Sequence, residues 1–421
     1  MKLPVAVLVS PDRNFGYGFV AIAVSFFVFA YSTRFGQAPI LIYYAFWLPL
    51  PFIDPQRYLR NSAHLPWIIA FGAFALLSTL WSAAPGATAR AGVQYITHIA
   101  CALIAARSIS PRTLTLGGLA GVALVLAYSL AVGDYHYDPI DGAYSFVGAF
   151  SSKNQLGFFA SLGIYLSFAA IVLLRERGLA VVLVLCVGAL SGYCLLSSQS
   201  ATSIITVTIA LAASIAMYSL RMFAPLARKL FFIAGGALAL LSLLAALQLG
   251  AFDAILGAFG KDATLTGRTY LWSEGMAAAQ EYPLLGIGYQ SYWVHGFAEA
   301  ERLWEEFYIT SRTGFHFHNT YIETLVELGA AGLVLLVVLL VSVTAAHTVM
   351  LLGDRRDATA QLMFGLAVML LIRSLVEVDV ITPYVIGSFL LYYAAGTAFD
   401  PVRRPVQPGP HAHAFADRNL D

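Results

Sequence analysis

Apolar residues follow one another along the chain in runs that short polar segments separate. A helix needs roughly 17 to 25 mostly apolar residues to cross a bilayer, and twelve runs reach or approach that length. The pattern predicts an all-α integral membrane protein of about twelve transmembrane helices. The runs cover residues 15–34, 38–53, 65–82, 92–107, 112–133, 155–174, 179–196, 201–220, 230–250, 326–350, 358–376 and 380–398.

The longest polar connection lies between the ninth and tenth runs, at residues 251–318. It includes a helical stretch, residues 268–280, that a proline and several glycines end. A loop of this length is usually functional. We therefore expect a single membrane domain, residues 1–400, that contains this large loop. A tail rich in Pro and His, residues 401–421, follows it, and we expect the tail to be disordered.

Basic residues test this order of helices independently, because the cytoplasmic connections of membrane proteins collect Lys and Arg. With the N-terminus in the cytoplasm, sixteen of the 24 basic residues fall on the cytoplasmic side. The pattern therefore predicts that both termini are cytoplasmic and that the large loop lies outside. The eight basic residues on the outer side are Arg34, Arg90, Lys153, Lys261, Arg268, Arg302, Arg312 and, near a helix end, Arg373.

The composition agrees with a membrane protein, since 59 % of the residues are apolar and only 11 % are charged. That charged share is about half that of an ordinary soluble domain. The net charge of +1 gives no support to nucleic-acid binding. Cys101, Cys186 and Cys194 lie in apolar runs without the two-residue spacing of metal or redox motifs, so we interpret them as small core residues.

The outer basic residues are candidates for anion binding, because the positive-inside tendency should deplete them there. Arg268 opens a helix, where its guanidinium and the free backbone amides can both meet a phosphate. Arg suits phosphate better than Lys because it presents a planar fork of donors. The alternative for each residue is an ion pair with a nearby carboxylate or an extension to the lipid headgroups.

The segment HFHNTYIETLVELGAAG begins at His316, where the large loop re-enters the membrane. A His near neutral pH can take a proton from a sugar hydroxyl, and His318 is followed directly by Asn319. The structural alternative is that these polar residues cap the next helix. His316 and His318 supply only two metal ligands, whereas a closed metal site needs about four, so we expect no metal.

Three further polar groups lie on the same predicted side. GAFSSKNQLG places Lys153 and Asn154 before the sixth helix, where they can bind a phosphate and a sugar, although helix capping is the simpler role for Asn154. LSSQSATS, residues 196–203, is a turn rich in hydroxyl groups. RSLVEVD contains Arg373 and Glu377, and ionisable groups near membrane depth favour a function. The alternative is that these two residues, four apart, pair on one helix face.

The order, spacing and common side of these groups resemble the O-antigen ligase and polysaccharide polymerase superfamily of bacterial envelope glycan assembly. The most specific motifs are GRTYLW, PLLGIGYQSY and HFHNTYIETLVELGAAG, and the resemblance runs from WSAAPGATARAG to residue 379. It implies a GT-C-like architecture and an inverting glycosyltransferase without metal or other cofactor in the bacterial inner membrane. Such an enzyme takes a glycan from an undecaprenyl diphosphate carrier and joins it to an acceptor glycan on the periplasmic face.

The resemblance also implies roles for single residues. His318 of the HN motif would be the general base that activates the acceptor hydroxyl. Arg268 of the GRxxxW motif would bind the diphosphate during catalysis, together with Arg90. Lys153 and Asn154 match the KN motif and would bind substrate or support the site. The further substrate-binding candidates on the same side of the membrane are His316, Asn319, Arg312, Arg373 and Glu377.

The acceptor decides whether such an enzyme is a polymerase or a ligase. The GxFxxKN and SxSAT patterns resemble the exopolysaccharide-polymerase branch, so we expect polymerisation of exopolysaccharide or O-antigen repeat units. Transfer to lipid A-core by a ligase is the alternative. A transporter of polysaccharide or lipid carrier is an alternative of another class, but it predicts internal repeats and charge at mid-membrane. Besides the bilayer and the two glycans, the expected partners are chain-length regulators or export proteins.

Overall fold

The computed structural model describes residues 5–60, 62–137, 144–249, 267–353 and 357–399. Within these ranges the chain is almost entirely helical, with a single two-stranded β-hairpin. The tail that we expect to be disordered lies outside the described residues, and so does the first part of the large loop, which includes Lys261.

Helices lie over all twelve apolar runs. The first eight are α1 (Ala6–Val9), α2 (Phe15–Phe35), α3 (Ala38–Trp47), α4 (Leu50–Ile53), α5 (Pro55–Leu59), α6 (Leu65–Leu77), α7 (Pro85–Ser108) and α8 (Pro111–Val132). The hairpin strands β1 (Asp134–Tyr137) and β2 (Tyr144–Gly148) follow. The described helices after them are α9 (Lys153–Phe168), α10 (Leu179–Ser198), α11 (Ala201–Ser219), α12 (Pro225–Gln248), α13 (Arg268–Glu281), α14 (Ala298–Glu306), α15 (Thr320–Leu352), α16 (Ala358–Arg373) and α17 (Ile386–Phe399).

Seven of the described helices are long and apolar enough to cross a membrane, namely α2, α8, α9 with the π-helical turn that follows it, α10, α11, α12 and α15. Four shorter apolar stretches and the less apolar α7 cover the other five runs. The prediction of a helical membrane protein is therefore confirmed, and the number of twelve crossings stays a prediction. The shorter stretches are Ala38–Ile53, Leu65–Leu80, Ala358–Arg373 and Ile386–Phe399.

The helices approach one another closely where small residues face a neighbour. α2 lies along α8, and a Cβ at Gly117 of α8 would lie 2.9 Å from the carbonyl oxygen of Phe19. A Cβ at Gly121 would lie 3.0 Å from the carbonyl oxygen of Ala23. Close backbone contact of this kind is typical of membrane helices, where small residues let helices pack tightly. Buried apolar side chains of α2, α7, α8, α9, α16 and α17 form one common core.

α15 is broken at Gly329, whose backbone has φ +62° and ψ −167°. The large loop crosses this break, where the N–H groups of Ala330 and Ala331 donate to the carbonyl oxygens of Pro283 and Leu284 at 2.8 and 3.1 Å. A Cβ at Gly329 would overlap the backbone of Leu284. The break therefore serves as the docking point of the large loop, just after the segment that carries the predicted base.

The same part of the loop also binds the turn before α7. The N–H of Ala83 donates to the carbonyl oxygen of Ile287 at 2.8 Å, and Nε1 of Trp81 donates to that of Leu285 at 3.1 Å. The N–H of Tyr289 donates to Ser78 Oγ at 2.9 Å. The WSAAP and PLLGIGYQ motifs of the sequence are thus in contact, and together they fix the loop to the helices.

The hairpin of β1 and β2 joins α8 to α9, and it departs from the all-α prediction. Tyr135 lies opposite Phe146, and Tyr137 lies opposite Tyr144. β2 contacts α8, α9 and α10, whereas all four residues of β1 are exposed. The hairpin leads into Lys153, the first residue of α9, at the end of the molecule where α11 and α15 also begin.

Candidate active site

Four segments that are distant in sequence meet at one end of the helices. They are the first turn of α9, the first residue of α13, the segment before α15 and the turn after α16. Their polar side chains are Asn154, Arg268, His318 and Glu377, and the first three all contact the fourth. The four residues belong to separate motifs of the sequence, and the structure brings them together.

The carboxylate of Glu377 is the centre of the cluster. Its Oε1 accepts hydrogen bonds from Arg268 Nη2 at 2.7 Å and from Asn154 Nδ2 at 2.8 Å. Its Oε2 lies 3.4 Å from Nδ1 of His318. The Glu377 side chain is only 6 % exposed, so water screens these interactions weakly.

Burial and charge act in opposite directions on Glu377. Burial raises the pKa of its carboxyl group, but the positive charge of Arg268 and the contact with His318 outweigh burial and hold this pKa well below its usual range. Glu377 is therefore ionised near neutral pH. A carboxylate beside Nδ1 of His318 favours the tautomer in which Nδ1 carries the proton and Nε2 keeps a free lone pair.

His318 has a left-handed backbone with φ +51°, and its neighbours fix that conformation. Its N–H donates to Nδ1 of His316 at 3.1 Å, and the N–H of Phe317 donates to Glu323 Oε2 at 2.8 Å. Asn319 caps α15, because its Oδ1 accepts from two backbone N–H groups of the first turn. Residues held in such sparsely populated conformations cluster at active sites.

His316 supports this segment as a neutral imidazole. Burial, together with the neighbouring charge of His318, lowers the pKa of His316 to about 3. Its ring lies 4.3 Å from that of His318, measured between the ring centroids. A neutral ring is also what the geometry requires, because Nδ1 of His316 must be unprotonated to accept from the backbone N–H of His318.

Arg268 begins α13, directly after Gly267 with φ +80°. Its Nη1 donates to the carbonyl oxygen of Val376 at 2.9 Å, and its Nη2 donates to Glu377. A guanidinium has five N–H groups, so these bonds to the described residues leave three for a ligand. With a side chain that is 15 % exposed, Arg268 can bind Glu377 and an anion at the same time.

Asn154 does not cap α9, which was the simpler role predicted for it, but contacts Glu377 and Ser200. Ser152 is the residue that caps α9, since its Oγ accepts from the N–H of Asn154 at 3.1 Å, so the capping prediction for Asn154 is wrong. Asn154 Oδ1 accepts from Ser200 Oγ at 2.8 Å, and Nδ2 donates to Glu377. Ser200, from the LSSQSATS turn, therefore determines which end of the Asn154 amide faces the carboxylate.

Arg373 does not pair with Glu377 through its side chain. α16 ends at Arg373, so Glu377 lies in the following turn and not on the same helix face. Nε of Arg373 donates to Asp379 Oδ2 at 2.5 Å, and Nη1 donates to Ser203 Oγ at 3.2 Å. Its guanidinium lies 3.9 Å from the ring centroid of Phe158. With a side chain that is only 1 % exposed, Arg373 fixes the turn that carries Glu377.

Three predicted substrate-binding residues are not part of the cluster around Glu377. Arg312 pairs with Glu301 at 2.7 Å and with Glu305 at 3.7 Å inside the large loop. Arg90 is exposed on α7 and makes no hydrogen bond or ion pair with the residues that the structure describes. Lys153 is half-buried beside Asn154. Substrate binding by these residues stays a prediction, and Arg312 already has carboxylate partners.

The ligand atoms of His316, His318 and Glu377 lie within 4.8 Å of one another, so the structure adds a third ligand to the two that the sequence offered. Arg268, however, lies 2.7 Å from the carboxylate. A fixed positive charge at that distance opposes the binding of a metal cation. The donor set therefore fits an acid–base site better than a metal centre.

Sequence reasoning missed Glu323, although it lies inside a motif that was singled out. Its Oε1 accepts from Trp293 Nε1 at 2.9 Å, and its Oε2 accepts from the N–H of Phe317. Glu323 thereby ties the large loop to the segment that carries His318. The signal was an acidic residue near the start of an apolar run, since membrane segments usually exclude such residues.

The fold and this cluster define a multi-pass helical membrane protein with a cluster of His, Glu, Arg and Asn side chains at one end of its helices. Residues 186–337 match the family described as O-antigen ligase, and this range includes Arg268 and His318. The chain is 51 % identical to the exopolysaccharide production protein ExoQ of Rhizobium meliloti (strain 1021) over 424 residues, which cover 99 % of this chain and 98 % of the relative. The chain therefore belongs to the O-antigen ligase family, as its motifs indicated.

Proposed function

We propose that this chain is a glycosyltransferase that polymerises exopolysaccharide repeat units on the periplasmic face of the bacterial inner membrane. It takes the glycan from an undecaprenyl diphosphate carrier and joins it to an acceptor glycan. The observation that carries the proposal is the contact of a base, a carboxylate and a guanidinium at His318, Glu377 and Arg268. The printed name of the relative, an exopolysaccharide production protein, supports this class of product.

His318 is the general base of the proposed reaction. Glu377 holds the proton on Nδ1, so Nε2 is free to take the proton of an acceptor hydroxyl. The imidazolium that forms is stabilised by the carboxylate 3.4 Å away. The caps and loop contacts around His318 hold the ring in one place, which lowers the entropy loss of the reaction.

Arg268 binds the diphosphate of the donor. The N–H groups that it does not use for Glu377 and Val376 point to a role in holding phosphate oxygens. Negative charge grows on the diphosphate as the bond to the sugar breaks. A guanidinium fixed in advance stabilises that charge without having to rearrange.

The proposed reaction inverts the anomeric carbon of the donor sugar. The acceptor oxygen forms a bond to that carbon from the side opposite the diphosphate, and the bond between the carbon and the diphosphate oxygen breaks. The proton of the acceptor hydroxyl passes to His318, and undecaprenyl diphosphate leaves as an anion. The diphosphate is already an activated leaving group, so the proposed mechanism uses no metal or other cofactor.

A ligase that transfers glycan to lipid A-core is the second candidate, because the matching family is described as O-antigen ligase. The base, the carboxylate and the guanidinium would serve both reactions equally well. The two functions differ only in the acceptor that reaches His318. The acceptor must therefore be tested directly.

The test is an assay of the full chain, purified in lipid nanodiscs, with an undecaprenyl-diphosphate-linked repeat unit as the only sugar substrate. We expect a ladder of products from the wild type and at least about a 100-fold lower rate from His318→Ala, because that variant lacks the base. His295→Ala is the matched control, since His295 lies in the same loop with a side chain that is 68 % exposed.

A ladder from His318→Ala at the wild-type rate would sink the assignment of the base. If the wild type makes no ladder but gives a single transfer product when lipid A-core is added, the protein is a ligase. If neither acceptor yields product while the purified protein moves the lipid-linked glycan between leaflets, the transporter alternative replaces the enzyme.

A further inference from the structure

The hairpin between α8 and α9 carries a row of exposed aromatic side chains that the proposed chemistry does not use. Tyr135, Tyr137 and Tyr144 are 52, 58 and 62 % exposed. We call these three residues the tyrosine face. Large aromatic side chains usually bury most of their surface, so three neighbouring ones in the open point to a ligand.

The register of the strands places these rings on one side of the hairpin. Residues directly opposite each other in an antiparallel pair share a face, and so do residues two apart along a strand. Tyr137 lies opposite Tyr144, and Tyr135 lies opposite Phe146, which is buried. The rings of Tyr135 and Tyr144 stack at a centroid distance of 5.1 Å and an angle of 9°. Two rings of the tyrosine face thus hold each other in a fixed stack, and each keeps one outer ring face for a further contact.

The hairpin stands in water and not in lipid. β1 pairs only with β2 in the described part of the chain, so one edge of β1 presents unpaired backbone N–H and C=O groups. Open sheet edges do not occur in the hydrocarbon region of a membrane, because those groups would lose their hydrogen bonds. Asp134 and His136 on β1 are also exposed. Contact with acyl chains therefore does not account for the tyrosine face.

The hairpin is continuous with the site. Its second strand contacts α8, α9 and α10, and the carbonyl oxygen of Ala149, just after it, accepts from Arg34 Nη1 at 3.3 Å. Ser152 then caps α9 and Asn154 reaches Glu377. Asn154 comes ten positions after Tyr144, which limits the distance between them to about 35 Å. A glycan of several sugars that leaves the site can span this distance.

We propose that the tyrosine face binds sugar rings of the growing glycan chain, away from the sugar that reacts at His318. The inference rests on the proposed polymerase function. Sugar rings have flat apolar C–H faces that pack on aromatic rings, and the phenol hydroxyls can bond the sugar hydroxyls at the rim. The rigid tyrosine side chains lose little freedom on binding, which favours contact with a flexible chain.

The first experiment measures binding of oligosaccharides that partial hydrolysis releases from the source strain's own exopolysaccharide. The full chain in nanodiscs is compared with the Tyr135→Ala, Tyr137→Ala and Tyr144→Ala triple variant. We expect the triple variant to bind the longer oligosaccharides about tenfold more weakly and to make a shorter ladder in the polymerisation assay. The triple variant with Phe at the same positions keeps the rings and should retain most of the binding.

Tyr193→Ala is the matched control, because Tyr193 is 59 % exposed on the apolar helix α10 and lies outside the hairpin. Nitration of the wild-type protein by tetranitromethane gives a second measurement that needs no variant. The oligosaccharides should protect the tyrosine face and leave Tyr193 unchanged. The inference would be overturned if the oligosaccharides left nitration of the tyrosine face unchanged. Identical ladders from the Ala triple variant and the wild type would overturn it as well. A wild type that makes no ladder at all would instead remove the proposed function.

Discussion

Glu377 joins three side chains that the sequence keeps far apart, and its charge is what holds them. Arg268 and Asn154 share one of its oxygens, and His318 faces the other. A buried carboxylate that contacts a guanidinium and an imidazole is strongly coupled to both of them. Removing its charge therefore changes the surroundings of the predicted base and of the predicted anion-binding group at once.

We expect Glu377→Gln to lower the rate of transfer by about 100-fold or more, because the imidazolium of His318 loses its counter-charge. The variant keeps the shape of the side chain, so the protein should still insert and fold. Glu281→Gln is the control, since Glu281 is exposed at the end of α13. A Glu377→Gln enzyme with the wild-type rate would mean that the carboxylate has only a structural role.

Ser200 acts on the site through Asn154. We expect Ser200→Ala to lower kcat by roughly 10- to 100-fold with little change in KM, because Asn154 loses the hydrogen bond that holds its amide in place against Glu377. Ser200→Thr keeps the hydroxyl and should restore most of the rate.

The control for Ser200→Ala must lose a helix cap as well, because Ser200 also caps α11. Ser110 caps α8 in the same way, through a bond from the N–H of Thr113, and it has no contact with the cluster. Both Ala variants should lose about 1 kcal/mol of helix stability, and only Ser200→Ala should lose turnover. Equal rates in the two variants would contradict the role of Ser200.

His316 makes the stability of the site depend on pH. Burial lowers the pKa of His316 to about 3, whereas in the unfolded chain it is about 6.5. The unfolded state therefore binds more protons between these values, and stability falls as the pH drops from about 6.5 toward 3. Glu377 adds a further loss of stability at acidic pH. Its pKa is lowered in the folded state, so its carboxyl group stabilises the fold only while it is ionised.

We expect the unfolding temperature to fall between pH 7 and pH 5, and to fall less steeply in His316→Asn. The Asn side chain can still accept from the N–H of His318 but does not titrate. Thermal unfolding in detergent, followed by tryptophan fluorescence at several pH values, measures the slope. A His316→Asn slope as steep as that of the wild type would contradict the prediction.

At the scale of the elements, most of the helices and the candidate site follow from the pattern of residues. The helices were predictable because long apolar runs have few alternatives in a membrane. The hairpin was not predicted because its strands have only four and five residues and stand between two long apolar runs, although the Asp141-Gly142 pair between them is a turn signal. The interpretation that Arg373 and Glu377 pair on one helix face was wrong, because α16 ends at Arg373. Apolar residues continue past that end, and no local signal in the sequence marks it.

The break at Gly329 connects two elements that the proposed reaction needs. We expect Gly329→Ala to destabilise the protein by about 1 to 3 kcal/mol, because its φ of +62° strains an alanine and the methyl group would overlap Leu284. Activity should fall with it, since the large loop loses its docking point.

Gly236→Ala on α12 is the matched control, because a Cβ there meets nothing within 4 Å. Its unfolding temperature should equal or exceed that of the wild type. The two variants can be compared by thermal unfolding in detergent and by the ladder assay. A Gly329→Ala protein that is as stable and as active as Gly236→Ala would show that the break does not matter.

At the scale of the whole molecule, the site and the basic connections should lie on opposite sides of the membrane. The three native cysteines can be replaced by Ala, and single cysteines placed at Tyr308 in the large loop or at Met222 between α11 and α12. These positions are 72 and 86 % exposed. An impermeant maleimide should label only the position 308 cysteine in spheroplasts. Labelling of both, or of the position 222 cysteine alone, would contradict the predicted orientation.

The contact of the large loop with the broken helix also has a consequence for biogenesis. Gly329 separates the first part of α15 from the membrane-embedded part. The first part begins at the cap Asn319 and contains Glu323, which accepts from the N–H of Phe317 beside His318. The N–H groups of Ala330 and Ala331, just after the break, gain these hydrogen-bond partners only when Pro283 and Leu284 of the loop dock on the helix. A chain that has left the translocon but has not yet folded its loop therefore lacks the contacts that fix the helix after His318. If His318 is the base that we propose, such an order of assembly keeps the newly made protein inactive until the loop has docked.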